Sequence, residues 1–141
     1  MSNYDASITN KSKKINQLFK DLDLDFGRNV VTNDVNRLED VDSVKRSLRN
    51  LINTNYYERP FQPTLGCGVR NLLFEPLTPL TAVQLERKIE EVIKNYEPRV
   101  RVNEIVANPI YDENSYAVSI YFYVRGVNEP QQVTTMLERL R

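Results

Sequence analysis

Histidine is absent from the 141-residue chain and cysteine occurs once. The first absence removes the commonest general base and the commonest zinc ligand. The second excludes an internal disulfide framework and a cysteine-rich metal centre. Neither sign of charge is in excess, with 19 Lys and Arg against 19 Asp and Glu. Residues 1–70 carry 11 basic and 9 acidic groups and the remainder 8 and 10, so neither half is a polybasic arm. Proteins that hold nucleic acid by neutralising phosphates carry a surplus of Lys and Arg, so nucleic acid is not an expected partner. No apolar run approaches the ~18 residues of a membrane span and no signal peptide heads the sequence. The expectation is a soluble protein with no membrane partner, no cofactor and no metal. One domain's length remains, without internal repeats or low-complexity tracts, and its work is binding, or chemistry done with carboxylates, Tyr and Arg.

Patterning along the chain predicts helices first and strands last. Residues 1–21 read as a partly helical N-terminal extension, since Ile15, Leu18, Phe19 and Leu22 fall at helical spacing over Lys11–Leu22. Residues 22–141 form the domain proper. Asp21 to Gly27 alternates acidic and apolar residues, as a short edge strand does. Its three carboxylates lack the central glycine and distal Glu of a calcium loop, which leaves solvated charges. Asp40 is placed to cap a helix whose stripe is Val41, Val44, Leu48, Leu51 and Ile52. On its other side Lys45, Arg46 and Arg49 face solvent, or Arg46 or Arg49 an acidic neighbouring subunit.

A connector rich in Pro and Gly follows over residues 53–68, held extended by Pro60 and Pro63, with Phe61 and Phe74 placed to anchor it on the core. Val69 to Phe74 predicts a short helix. Thr78-Pro79 and Thr81…Gln84 are rival starts for the next one, which carries Leu85, Ile89, Val92, Ile93 and Tyr96 on one face and stops at Pro98. Val100, Val102 and the run Ile105–Ile110 read as extended. Tyr116, Val118, Ile120, Phe122 and Val124 alternate with Ala117, Ser119, Tyr121 and Tyr123 in the strongest strand of the chain. Residues 133–141 fit helical spacing and yet begin with β-branched residues, so both readings stand.

Candidate chemistry is sparse. Cys67 has no histidine to activate it and suits a tight turn between Gly66 and Gly68, which lack the lysine of a phosphate loop. Glu58 and Glu97 are the one carboxylate pair to weigh as a glycosidase acid and base. Each lies beside an arginine, Arg59 or Arg99, where a carboxyl is more often charge-paired than kept protonated. The planar fork of Arg99 suits a carboxylate bidentately, either within the chain or on a partner.

Two clusters carry a resemblance. The run Glu58-Arg59-Pro60-Phe61…Gly66-Cys67-Gly68-Val69-Arg70-Asn71-Leu72-Leu73-Phe74-Glu75-Pro76, followed by Tyr96-Glu97-Pro98-Arg99-Val100, resembles the baseplate wedge, sheath-initiating family of contractile-tailed phages, shared with type VI secretion baseplates. It covers the chain from about Leu22 onward; Cys67 stands where a small residue such as serine is expected. The resemblance implies an α+β fold, a single small domain with N-terminal helices packed on a C-terminal antiparallel sheet. It also implies a structural, non-enzymatic subunit of the virion tail baseplate, assembled in the host cytoplasm near the tail tube. Glu97, Pro98 and Arg99 would face the wedge core-bundle proteins, and Glu58, Arg59, Pro60, Phe61, Gly66, Gly68 and Arg70 form the family loop. Tyr121, Tyr123, Val133, Thr135, Leu137 and Arg139 would offer strands to the tail sheath protein, which resolves residues 133–141 toward strand.

Overall fold

The computed structural model describes residues 19–138. Most of the helix expected over Lys11–Leu22 lies outside them, as does Arg139. Its last turn does not form, because Lys20–Leu22 is a strand, β1, which also crosses the boundary drawn after residue 21. β1 pairs antiparallel with β2 (Arg37–Glu39), and the connection between them closes through Asp23 N–H to Asn36 O (3.0 Å) and Asn36 N–H to Gly27 O (2.8 Å).

Helix α1 spans Asp40–Asn53 and buries Ser43, Val44, Leu48, Leu51 and Ile52, the predicted stripe with Val41 at its margin. Asp40 does not cap it in the expected way. The residue at the boundary is Glu39, and the Asp40 carboxylate accepts the Phe19 N–H at 3.1 Å, tying β1 to the start of α1. The strand predicted over Asp21–Gly27 ends at Leu22, where a turn closed by Phe26 N–H to Asp23 O (3.1 Å) begins, and its expected solvated charges are engaged: the Arg46 guanidinium bonds Asp23 (3.1 Å) and Asp25, so two carboxylates of one turn share one arginine of this same chain. That exposed pairing pulls the Asp25 carboxyl below its ordinary value, chiefly through the Arg46 hydrogen bond.

After the connector come α2 (Val69–Leu73) and α3 (Pro79–Tyr96). Thr78-Pro79 wins the contest for the start of α3. Thr78 Oγ1 accepts the Thr81 N–H at 3.2 Å, proline occupies the first helical position, and Thr81 turns its hydroxyl to Pro76 O at 2.9 Å. The buried face is Leu85, Ile89, Val92 and Ile93, as the spacing predicts, but Tyr96, expected on that face, is exposed and donates its hydroxyl to Thr64 O of the connector at 2.9 Å.

Strands β3 (Val100–Ile110), β4 (Ser115–Val124) and β5 (Pro130–Glu138) form one antiparallel sheet in that order. A bulge between Val102 and Glu104 interrupts the alternation of β3, and for that reason the sequence reads there as two extended pieces. Tyr116, Val118, Ile120, Phe122 and Val124 are all buried and meet Val44, Leu48 and Ile52 of α1 and Leu85, Ile89 and Ile93 of α3 in one core. Val133 and Leu137 of β5 join them from the same face. The result is the expected α+β architecture, helices on one face of the sheet.

Candidate functional site

The Glu97-Pro98-Arg99 corner sits between the end of α3 and the start of β3. Glu97, which the resemblance would turn toward a partner, points inward instead, its side chain only 4% exposed. Arg99 closes on it bidentately, Nε to Oε1 at 2.6 Å and Nη2 to Oε2 at 2.7 Å, and Ser47 of α1 donates to Oε2 at 2.6 Å. Burial alone pushes the Glu97 carboxyl up; the hydrogen bonds from Arg99 and Ser47 and the charge of Arg99 outweigh it and hold the group below its ordinary value. Reciprocally, the Glu97 bond raises Arg99, whose guanidinium also lies 5.5 Å from the Phe19 ring centre. The corner is therefore a brace joining α1, α3, β3 and the segment leading into β1, with the Pro98 ring and one flank of Arg99 facing outward.

The first part of the family loop, residues 58–63, folds on itself rather than on the core. Glu58 accepts the Asn55 N–H (2.9 Å) and side-chain amide (2.7 Å), and Arg70 of α2 approaches it at 4.0 Å. Tyr57 N–H closes on Pro63 O at 2.9 Å, and Tyr57 and Phe61 both take positive φ, 66° and 71°. Phe61 is fully exposed and Phe74 is 57% exposed, so neither is the expected anchor: the reversal at residues 57–63 carries Phe61 to the outer tip. Pro60 lies on that tip as well. Arg59 is exposed and has no ion-pair partner among the described residues. What does anchor the loop is Gly66-Cys67-Gly68. Cys67 is completely buried and its N–H donates to Thr54 O at 2.9 Å. Burial pushes its thiol up to about 12, so no reactive thiolate exists near neutrality. Ellman's reagent is expected to leave the folded protein unmodified and to titrate one thiol in denaturant; rapid reaction of the native chain would contradict this packing.

The two edges of the sheet differ. Arg125 N–H donates to Arg99 O at 2.8 Å, which fixes the alternation of β4: odd residues bond toward β3 and even ones toward β5. Ala107 agrees, because it stands opposite Val118 and its N–H points away from the sheet, to Glu86 Oε1 of α3 at 2.8 Å. The outer edge of β3 is thus blunted. Val100 N–H is taken by Glu97 O (3.1 Å), Ala107 by Glu86, and Pro109 has no N–H. On β5, residues 131, 133, 135 and 137 bond to β4, while the N–H and C=O groups of Gln132, Thr134, Met136 and Glu138 point outward. Among the described residues no backbone group pairs with them. Val133 and Leu137 consequently give their side chains to the core and Thr135 its backbone to β4; the outward groups belong to the residues between them, which sequence reasoning missed. Tyr121 and Tyr123 lie on the sheet face away from the helices, Tyr121 near Gln132 (3.4 Å) and Tyr123 38% exposed.

The family model for baseplate wedge protein gp25 matches residues 38–129, more than half of the chain. The protein belongs to the gp25 baseplate wedge family. It is 38% identical over 123 residues to baseplate wedge protein gp25 of Enterobacteria phage T4, an alignment spanning 84% of this chain and 88% of that protein. In fold it is similar to a Geobacter sulfurreducens protein described as a candidate tail lysozyme (TM-score 0.65, 23% identity, 70% of this chain and 90% of that one). It is similar also to a chain of the type VI secretion baseplate complex (TM-score 0.60, 18% identity, 70% and 93%). Membership makes this gp25-family chain a baseplate wedge subunit of a contractile tail. For the glycosidase alternative, a general acid needs a carboxyl held protonated, whereas both candidates are shifted the other way. Glu58 is lowered by its hydrogen bonds from Asn55, and Glu97 by Arg99 and Ser47 acting against burial.

Proposed function

We propose that this wedge subunit joins the wedge core-bundle proteins at the Glu97–Arg99 corner and seeds the tail sheath on the open edge of β5, as a non-enzymatic part of the virion baseplate near the tail tube, assembled in the host cytoplasm. The asymmetry of the sheet carries the reading. A protein that must not aggregate blunts its edge strands, and β3 is blunted by a proline, a carboxylate and a carbonyl. β5 keeps Gln132, Thr134, Met136 and Glu138 outward, four residues in register for an incoming strand, whose affinity would come from main-chain hydrogen bonds. Arg99 and Pro98 offer the corner's outer surface, while Glu97 fixes the guanidinium from within.

Proline substitution separates this role from folding. Thr134→Pro with Met136→Pro removes two outward N–H groups that β4 does not use, so the purified chain is expected to melt close to the parent and still to enter baseplates. Sheath assembly on those baseplates should fail. Thr135→Pro removes an N–H that bonds to β4 and is expected to lower the melting temperature sharply. Normal sheath polymerisation on baseplates carrying the outward pair would sink the strand-seeding reading.

A further inference from the structure

The tip of the family loop is an unbroken run of exposed residues, 57–64. It carries the two most exposed aromatic side chains among the described residues, Tyr57 at 85% and Phe61 with nothing covering it. Physics opposes this display. An apolar ring left in water forgoes burial, and a positive φ is strained for a bulky side chain, yet both aromatics hold one. The tip is nonetheless built to keep its shape. Pro60 and Pro63 fix two backbone angles, and Tyr57 N–H closes the base on Pro63 O. Gln62 N–H returns to Arg59 O at 3.3 Å, Leu65 N–H to Gln62 O at 3.1 Å, and the Tyr96 hydroxyl holds Thr64 O. None of these bonds seats Phe61 on the chain's own core, so folding gives no reason for an aromatic there. Charge is left over as well. Glu58 turns its carboxylate to Asn55 and faces Arg70, whereas Arg59, exposed on the same tip, has no ion-pair partner among the described residues.

We propose that this tip is a plug: Phe61 enters an apolar pocket on a neighbouring baseplate protein, Tyr57 packs against the pocket's rim, and Arg59 pairs with a carboxylate there. Aromatic and arginine side chains supply most of the binding energy at interfaces when they are buried together in a partner's pocket. A tip already locked in shape also loses little entropy on docking, which is the return on its strained backbone. The unbalanced guanidinium sets the chemistry of the rim, because a planar fork of donors matches a carboxylate. A lipid surface is the poorer occupant, since one free cation on a chain of zero formal charge draws little from anionic headgroups. The plug rests on the chain's membership of a baseplate family. It shares no residue with the β5 edge or the Glu97–Arg99 corner and stands whether or not those are used.

The chain contains no tryptophan, so Phe61→Trp places a sole indole at the tip. The purified full chain should emit in the red, as a water-exposed indole does, at every concentration tested and with phosphatidylglycerol–phosphatidylethanolamine vesicles present. In baseplates assembled with this variant the emission should move to the blue and be shielded from acrylamide. Phe61→Ser and Arg59→Glu should each melt like the parent and lower incorporation into baseplates at least ~tenfold. Arg59→Lys should keep most of the incorporation, and Gln62→Ala, on the same tip, all of it. Red emission within the baseplate, a blue shift on vesicles, or one that grows with concentration of the chain alone would overturn the proposal. So would a lowered melting temperature for Phe61→Ser, full incorporation of Phe61→Ser or Arg59→Glu, or an equal loss with Gln62→Ala.

Discussion

Arg99→Ala is expected to cost about 2–4 kcal/mol at neutral pH, toward the low end of the ~3–5 kcal/mol seen when one partner of a buried ion pair is removed. The Glu97 carboxylate stays buried in the variant and keeps the Ser47 hydroxyl and the backbone N–H of residue 99 as donors, but no counter-charge. Arg99 itself is 27% exposed, so the pair is partly screened and the full figure does not apply. The pH dependence identifies the cause. In the parent the folded Glu97 carboxyl titrates below its ordinary value of 4.5, so its contribution to stability is present above about that pH and is lost as pH falls through the lower, folded value. Without Arg99, burial prevails and raises the folded carboxyl instead, so the variant loses stability as pH rises through that raised value. The gap between the two proteins should therefore narrow on acidification. Urea unfolding of both at about pH 7 and about pH 3.5 measures it, and Glu97→Gln in the Arg99→Ala background should recover much of the loss, since a neutral amide needs no counter-charge. A gap independent of pH would assign the loss to packing of the Arg99 stem.

This corner also marks how far the sequence can be read. The residues Glu97, Pro98 and Arg99, the stop of α3 and the start of β3 are all local signals, and the two charges are adjacent enough for their pairing to be one of two open readings. Burial of Glu97 is not local, because it depends on Ser47, fifty positions away on α1. The stripes of α1 and α3 and the alternation of β4 are legible since each element buries one face, and periodicity records that directly. Segment 130–138 defeats periodicity: Val133 and Leu137 satisfy helix and strand spacing alike, and pairing with β4, a contact distant in sequence, decides for the strand. The same limit hides the open edge of the sheet. Which β5 residues point outward follows from the register of three strands, and the blunting of β3 from Glu86 reaching Ala107 across 21 positions. Phe61 fails for a related reason, because apolar character predicts burial only where the backbone returns toward the core, and here a positive φ at the residue itself turns it away.

Gly66→Ala is expected to be the costliest change in the family loop, about 2–5 kcal/mol, combining ~1–3 kcal/mol of backbone strain with ~1–3 kcal/mol of overpacking. A Cβ at residue 66 would lie 2.7 Å from the Asn55 carbonyl carbon and 2.8 Å from both the Asn55 and Thr54 oxygens, on a backbone whose φ of 148° side chains rarely adopt. All three neighbours are main-chain atoms at the C-terminal end of α1, and Cys67 N–H bonds to Thr54 O alongside, so relief of the clash requires the loop to lift off the helix. Gly68→Ala makes the informative contrast. Its Cβ would approach the Tyr56 ring at 2.3 Å, a side chain that can swing aside, and its φ of 60° is one that Asn tolerates. Gly68→Ala should therefore cost about 1–2 kcal/mol, within the range for a non-glycine residue held in a sparsely populated conformation, and Gly68→Asn less. Chemical unfolding of the three variants gives the order. Equal losses for Gly66→Ala and Gly68→Ala would mean that the loop yields as a unit, and the close seating of residue 66 against α1 would then not be what holds it in place.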